Sequence, residues 1–207
     1  MSVERVDFLV EEPSMEAALR LLLPKILNDM PFEIYPYQCK DELLKRLTER
    51  LRGYARWLPQ NWRIVVLVDR DDDDCLELKA KLEECAQSAG LPTRTRARTE
   101  VSPYIVTNRI VIEELEAWYF GDWEAVRAAY PNVPPTIPAQ TQYRDPDAIK
   151  GGTWEAFERI LRRKGHFLGG LRKIDVARSI VTHMDPKRNR SRSFQVFCEA
   201  LQEMVSS

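Results

Sequence analysis

Residues 64–74 read IVVLVDRDDDD, five apolar residues running straight into five aspartates within six positions. The apolar run shows no polar alternation, the pattern of a strand covered on both faces, as in a parallel sheet flanked by helices. If that strand is central, Asp69 ends it and its side chain stands at the carboxyl edge of the sheet. The same edge collects the ends of every parallel neighbour, and ligands of open α/β sheets bind there.

Working outward, the flanking sequence supplies those neighbours. Residues 7–10 (DFLV) form a short apolar run followed by Glu11-Glu12-Pro13-Ser14, and residues 15–27 carry Ala17, Ala18, Leu21, Leu22 and Ile26 at helical spacing. Proline in a first helical turn and acids at the positive end of a helix fit that start. A second strand is expected over 32–37 and a helix over 41–57, where Leu43, Leu44, Leu47 and Leu51 recur three or four apart. Beyond the aspartates, residues 75–90 read as a helix stopped by Gly90 before Pro92. Residues 93–99 (TRTRART) alternate with period two and predict a strand with Arg94, Arg96 and Arg98 on one face. Residues 104–112 predict another strand, and 113–120 a helix.

Alternating strands and helices give an α/β fold with a largely parallel sheet flanked by helices. Residues 1–130 are read as that domain. Residues 131–152 hold five of the thirteen prolines and form a connection too proline-rich for a helix. Residues 153–207 are read as a helical carboxyl-terminal portion packed on the domain, with helices over 154–164, 171–184 and 193–204.

Composition narrows the function. The chain has 207 residues, 44% of them hydrophobic, enough for a sizeable core. No segment approaches the roughly 20 apolar residues of a membrane span. The amino terminus, MSVERVDFLVEE, has acids where a signal peptide is basic, so a cytoplasmic protein without a membrane partner is expected. Cys39, Cys75, Cys85 and Cys198 form no CxxC pair and are read as reduced packing residues; His166 and His183 alone do not make a zinc site. The net charge of −1 conceals a gradient: residues 150–207 carry twelve Lys+Arg against six Asp+Glu, the preceding 149 nineteen against twenty-six.

Acids ending the first strand (Glu11, Glu12) and the third (Asp69, Asp71) meet at one edge in this fold. Their repulsion costs on the order of a few kcal/mol at an effective dielectric near 20. A hard divalent cation offsets it economically, since Mg²⁺ takes one or two carboxylates plus waters and phosphate oxygens. Protonation of one carboxyl, giving a general acid, or full hydration are the alternatives. Asp72, Asp73 and Asp74 also read as a solvated turn at a helix amino terminus, with Asp73 retained as a candidate metal ligand, and Glu12 is expected to face solvent. Known acidic motifs do not fit. Counted from Asp69, an EF-hand needs Gly and Glu where Asp74 and Ala80 stand. A phosphoacceptor receiver needs a lysine near residue 100, where there are only Glu100 and arginines, and no sugar-nucleotide fingerprint accompanies the Asp69-x-Asp71 pair.

The order strand, Glu11, helix, then strand, Asp69-x-Asp71, resembles the Toprim fold of topoisomerases, primases and overcoming-lysogenization-type nucleases. More closely, LVEEPSMEAAL (9–19), LVDRDDDDC (67–75), IVIEELEAWYFGD (110–122) and RSRSFQVFCEAL (190–201) are together similar to a bacterial family of unknown function assigned to that fold. The sequence departs from the Toprim pattern in having Glu12 where a glycine usually follows the glutamate.

The resemblance implies a metal-dependent nuclease. Asp69 and Asp71 would hold Mg²⁺ or Mn²⁺, with Glu11 a further ligand or the general acid/base, and Glu114 and Glu116 the functional pair of the third motif. It also implies a setting in prokaryotic defence or repair and an ATPase partner made by a neighbouring gene. A topoisomerase is not expected in so short a chain, nor a primase without a zinc module. The nucleic acid, DNA or RNA, needs positive charge to hold it. Candidates are Arg94, Arg96 and Arg98, the run Arg162-Arg163-Lys164, Arg172-Lys173, and the run 187–192 with Arg190 and Arg192. Each cluster is otherwise an ordinary solvated face. The five tryptophans are read as core before base-stacking platforms. The opposing reading is a non-catalytic interaction subunit whose acidic edge binds a partner or a structural metal.

Overall fold

The computed structural model describes residues 2–100, 103–170 and 172–206. Strand β3 (Trp62–Asp69) is buried along its whole length after Trp62, as its unbroken apolar run requires. It lies inside a four-stranded sheet of order β2-β1-β3-β4, with β1 (Arg5–Val10), β2 (Phe32–Pro36) and β4 (Val106–Val111) all parallel. The α/β class with a parallel sheet flanked by helices is the observed one. Register pairs Val10 with Leu67 and Asp69 with Val111, so β1, β3 and β4 end within two residues of one another and Glu11 leaves the sheet one step from Asp69 at its carboxyl edge.

Period-two alternation divides the core. Val6, Phe8, Val10, Val65, Leu67 and Val111 face one layer, built from α1 (Pro13–Leu27), α5 (Leu115–Gly121), α6 (Trp123–Ala129), α7 (Thr153–Arg162), α8 (Lys173–Val181) and α9 (Arg192–Val205). Leu9, Ile64, Val66 and Val68 face the other, against Leu43, Leu47, Leu51 and Tyr54 of α2 (Lys40–Ala55) and Leu78 and Leu82 of α3 (Cys75–Ser88). Pro13 opens α1 at a position whose N–H needs no partner. Residues 131–152 make three short 3-10 turns, Ile137–Ala139, Thr141–Tyr143 and Pro146–Ala148.

Four expectations are corrected. Residues 94–100 form a helix, α4 (Arg94–Glu100), where TRTRART predicted a strand. Thr93 makes a single bridge to Val106, and its carbonyl and hydroxyl then accept the N–H groups of Ala97 and Arg96. Burial falls on Thr93, Arg94 and Ala97, a helical spacing, and β4 occupies the place beside β3. Arg94, Arg96 and Arg98 therefore do not share a strand face. Leu21 is 36% exposed; Leu19 and Leu23 join the inner face of α1. Helix α6 stands where no element was expected. All four cysteines are free, but Cys39 is exposed at the start of α2 and is not a packing residue.

Candidate functional site

Glu11 and Asp69 are adjacent. Both are buried, and the Asp69 N–H donates to Glu11 Oε2 at 3.0 Å. Asp69 Oδ2 accepts from the Leu115 N–H at 3.3 Å, at the start of α5, where an acid interacts favourably with the helix dipole. Asp69 Oδ1 is buried and has no hydrogen-bond partner. A buried acceptor left bare costs about 1–3 kcal/mol and calls for a ligand or a proton.

The electrostatics point the same way. Burial pushes the Glu11 carboxyl up to about 7; the Asp69 amide and Lys40 oppose the rise and Asp71 adds to it. Asp69 is held well above the carboxylate range by burial first, then by Glu11, Glu116, Glu12 and Asp71. Glu116, fully inside α5, is raised by burial to about 8 although Lys173 lowers it. Glu12 is half-buried and 3.5 Å from Lys173, not turned to solvent as expected, because its carboxylate is held between Lys173 and the Ser14 hydroxyl in the first turn of α1.

Asp71 and Asp73 stand apart from the buried pair. Lys40 Nζ sits 2.6 Å from Asp71 Oδ2 and 2.7 Å from Asp73 Oδ2, and also donates to the carbonyls of Asp69 and Arg70. Asp71 has φ +50, a left-handed conformation that aspartate tolerates, which tips it outward. Asp74 caps α3, accepting from Leu76 N and Glu77 N. The aspartate run thus has three jobs: an inner carboxylate, a lysine clasp and a helix cap.

The third motif divides similarly. Glu114 precedes α5 with extended backbone, and its carboxylate accepts from Thr153 Oγ1 and Trp154 N, each at 2.8 Å, fastening the start of α7. Glu113 pairs with Arg70. Glu116 raises Asp69 and is itself raised by Glu114 and Glu12, while Glu114 also faces a cleft of about 720 Å³ bounded by Arg70, Asp71, Glu113, Lys150 and Gly152.

Among the described residues, no three acidic, His or Cys side chains are grouped as a ready cation cage. The donor set still fits a magnesium-class ion. It is all oxygen, one buried carboxylate oxygen is bare, and such an ion needs one or two protein carboxylates.

Of the basic candidates only Lys173 reaches this edge. Burial works against its charge, but Glu116, Glu12 and Glu114 outweigh it, and its ammonium lies 4.7 Å from the Trp154 ring centre. Arg94 is buried and paired with Glu203 of α9. Arg98 and Lys164 are exposed elsewhere, and Arg96 is exposed on α4. Arg190 lines a hollow with Arg127 and Arg188, and Arg192 pairs with Glu199 at 2.8 Å. Trp118 and Trp123 are core residues, and Trp57 is exposed. Lys40 is the residue that sequence reasoning missed, whereas Glu12 was named but expected in solvent. A Lys40 signal exists only as a basic residue opening the helix after β2.

No helix among the described residues is long and apolar enough to cross a membrane. A search of curated proteins finds no match. Among solved structures the fold is similar to the C-terminal region of the Xanthomonas campestris pv. campestris OLD protein. The TM-score is 0.51 at 15% identity, covering 99% of this chain and 96% of that one. The family described as "Domain of unknown function (DUF4276)" matches residues 10–202, from the end of β1 into α9, and the chain belongs to that family.

Proposed function

We propose that the protein is a divalent-cation-dependent nuclease with a Toprim-like centre, Glu11 and Asp69 being its cation ligands. The observation that carries this reading is the Glu11–Asp69 contact with Asp69 Oδ1 bare in a buried, mutually repelling acid group. The similarity in fold to part of an OLD protein supports it. When bound, Mg²⁺ or Mn²⁺ supplies neutralisation of charge developing on a phosphodiester. Asp71 and Asp73 are available to it only by leaving Lys40. Glu116, raised to about 8, holds a proton at neutral pH and is the general acid. Lys173 keeps a positive charge beside Glu12 and orients a substrate phosphate. Glu114, committed to the α7 amino terminus, positions that helix. The resemblance to overcoming-lysogenization-type nucleases also leads us to an ATPase partner from a neighbouring gene, in defence or repair.

Purified protein should cleave single- or double-stranded DNA or RNA with Mn²⁺ or Mg²⁺, and Asp69→Asn and Glu11→Gln should abolish cleavage with the fold intact by circular dichroism. Calorimetric titration with Mn²⁺ gives a second readout, lost in Asp69→Asn. Absence of both Mn²⁺ binding and cleavage in the wild type, with or without the ATPase, would favour the interaction subunit.

A further inference from the structure

The carboxylate cleft cannot by itself hold a polyanion: Asp71, Asp72, Glu113, Glu114 and Glu155 line it against Arg70 and Lys150. Across Lys150 the charge inverts. A second hollow of about 630 Å³ shares Ala148, Ile149 and Lys150 with the cleft and is lined further on by Arg159 and Arg163 against one carboxylate, Asp145, whose Oδ1 accepts from the Asp147 N–H at 3.0 Å. These three cations are exposed, and no carboxylate pairs with any of them among the described residues. Two details leave them unpaired. Arg162, next to Arg163, takes Glu158 instead. Glu155, one helical turn before Arg159, folds back over Gly152, where a Cβ would meet its Oε2 at 1.7 Å.

Cations near a helix carboxyl end are ordinary, and Arg159 and Arg163 alone would need no more than the α7 dipole. Lys150 is not on α7. It comes from the proline-rich segment and stands where the two hollows join, so the positive charge continues the acidic cleft around a corner. The one aromatic residue in the lining, Tyr143, is buried with its ring stacked on Phe120, so no surface is offered for base stacking. Unpaired point charges without a stacking platform suit phosphates and not bases.

We infer that the hollow of Lys150, Arg159 and Arg163 is the track that binds the sugar-phosphate backbone of a nucleic acid leading into the carboxylate cleft, independently of base sequence. This rests on the nuclease reading for what the track leads to, but not for the binding itself.

The test is anisotropy of a fluorescein-labelled oligonucleotide in EDTA, where cleavage does not intervene, over a range of salt. Lys150→Ala/Arg159→Ala/Arg163→Ala should bind at least about tenfold more weakly, with a log-affinity against log-salt slope smaller by about 2–3, as three lost phosphate contacts require. The charge-matched Lys45→Ala/Arg56→Ala/Lys81→Ala, on exposed positions of α2, its end and α3, should keep most of the affinity. Arg159→Lys/Arg163→Lys, which preserves charge and tests folding, should keep it as well. Equal losses in the two triple variants, an unchanged slope, or no binding by the wild type would overturn the track. Expected oligonucleotide binding with neither Mn²⁺ binding nor cleavage, with or without the ATPase, would leave the track standing and remove the nuclease.

Discussion

At the residue scale, Lys40 shows how one side chain can reorganise an acidic motif. Its ammonium touches four oxygens of residues 69–73, two of them carboxylate oxygens on side chains about half exposed. Exposed ion pairs contribute roughly 0–1 kcal/mol each, so Lys40→Met should lose only about 1 kcal/mol in urea unfolding. The larger effect falls on Glu11, which Lys40 holds down: removing it should move the Glu11 titration further up, read by carboxyl carbon NMR. An unmoved titration would mean the lysine does not act on the buried pair. Lys40 escaped the sequence because its partners lie some thirty residues away. Asp69 was legible because its position relative to the strand, and nothing else, decides where it stands.

At the element scale, the third motif is clasped by the fourth and by the two residues just before it, Arg188 and Asn189: Trp118 Nε1 donates to Ser193 Oγ, and the Arg190 N–H donates to the Gly121 carbonyl. Asp122 caps α6 and is buried against Arg188, whose Nε and Nη2 reach it at 2.7 and 2.9 Å. Asn189 donates to the Trp118 carbonyl and accepts from the Ser191 N–H, while Asp147 accepts from Ser191 Oγ and Ser193 N. Gly121 lies under this knot: a Cβ there would meet Asn189 Oδ1 at 2.0 Å and Ser191 N at 2.9 Å. Gly121→Ala should therefore cost about 1–3 kcal/mol, and Gly121→Ala/Asn189→Ala should be non-additive in chemical denaturation. Additive losses would separate the two residues. The resemblance singled out both motifs, but in the sequence alone a motif that packs looks the same as one that does chemistry. TRTRART misled for a related reason, since period two also places Arg94 and Arg98 four apart, the spacing of one helix face.

At the scale of the whole molecule, the parallel sheet was legible because strands buried on both faces leave unbroken apolar runs. The site was legible only in its inner half, since Glu11 and Asp69 follow from strand ends, whereas Glu12, Lys40 and the Lys150 corner depend on how helices return across the edge. The buried acids also set a pH dependence. The folded chain keeps protons on Glu11, Asp69 and Glu116 that the unfolded chain releases near the ordinary carboxylate range. The contribution of these three carboxyls to stability in EDTA is full below that release and is lost as pH rises toward about 8, while Glu83 and Glu203, held below the ordinary range, make the opposite contribution in acid. Thermal melting at pH 5.5 and 8.5 should show the lower midpoint at the higher pH, and Glu116→Gln should flatten the difference. A flat wild-type profile would place these carboxyls in water.

The strand register has a consequence in time. Residues 11, 69 and 116 are neighbours only once β1, β3 and the start of α5 have docked, so a half-assembled chain feels none of their mutual opposition. Where docking of that edge comes after the folding transition state, the opposition speeds unfolding and leaves the folding rate unchanged, so Glu116→Gln should slow unfolding in stopped-flow kinetics at pH 8.5.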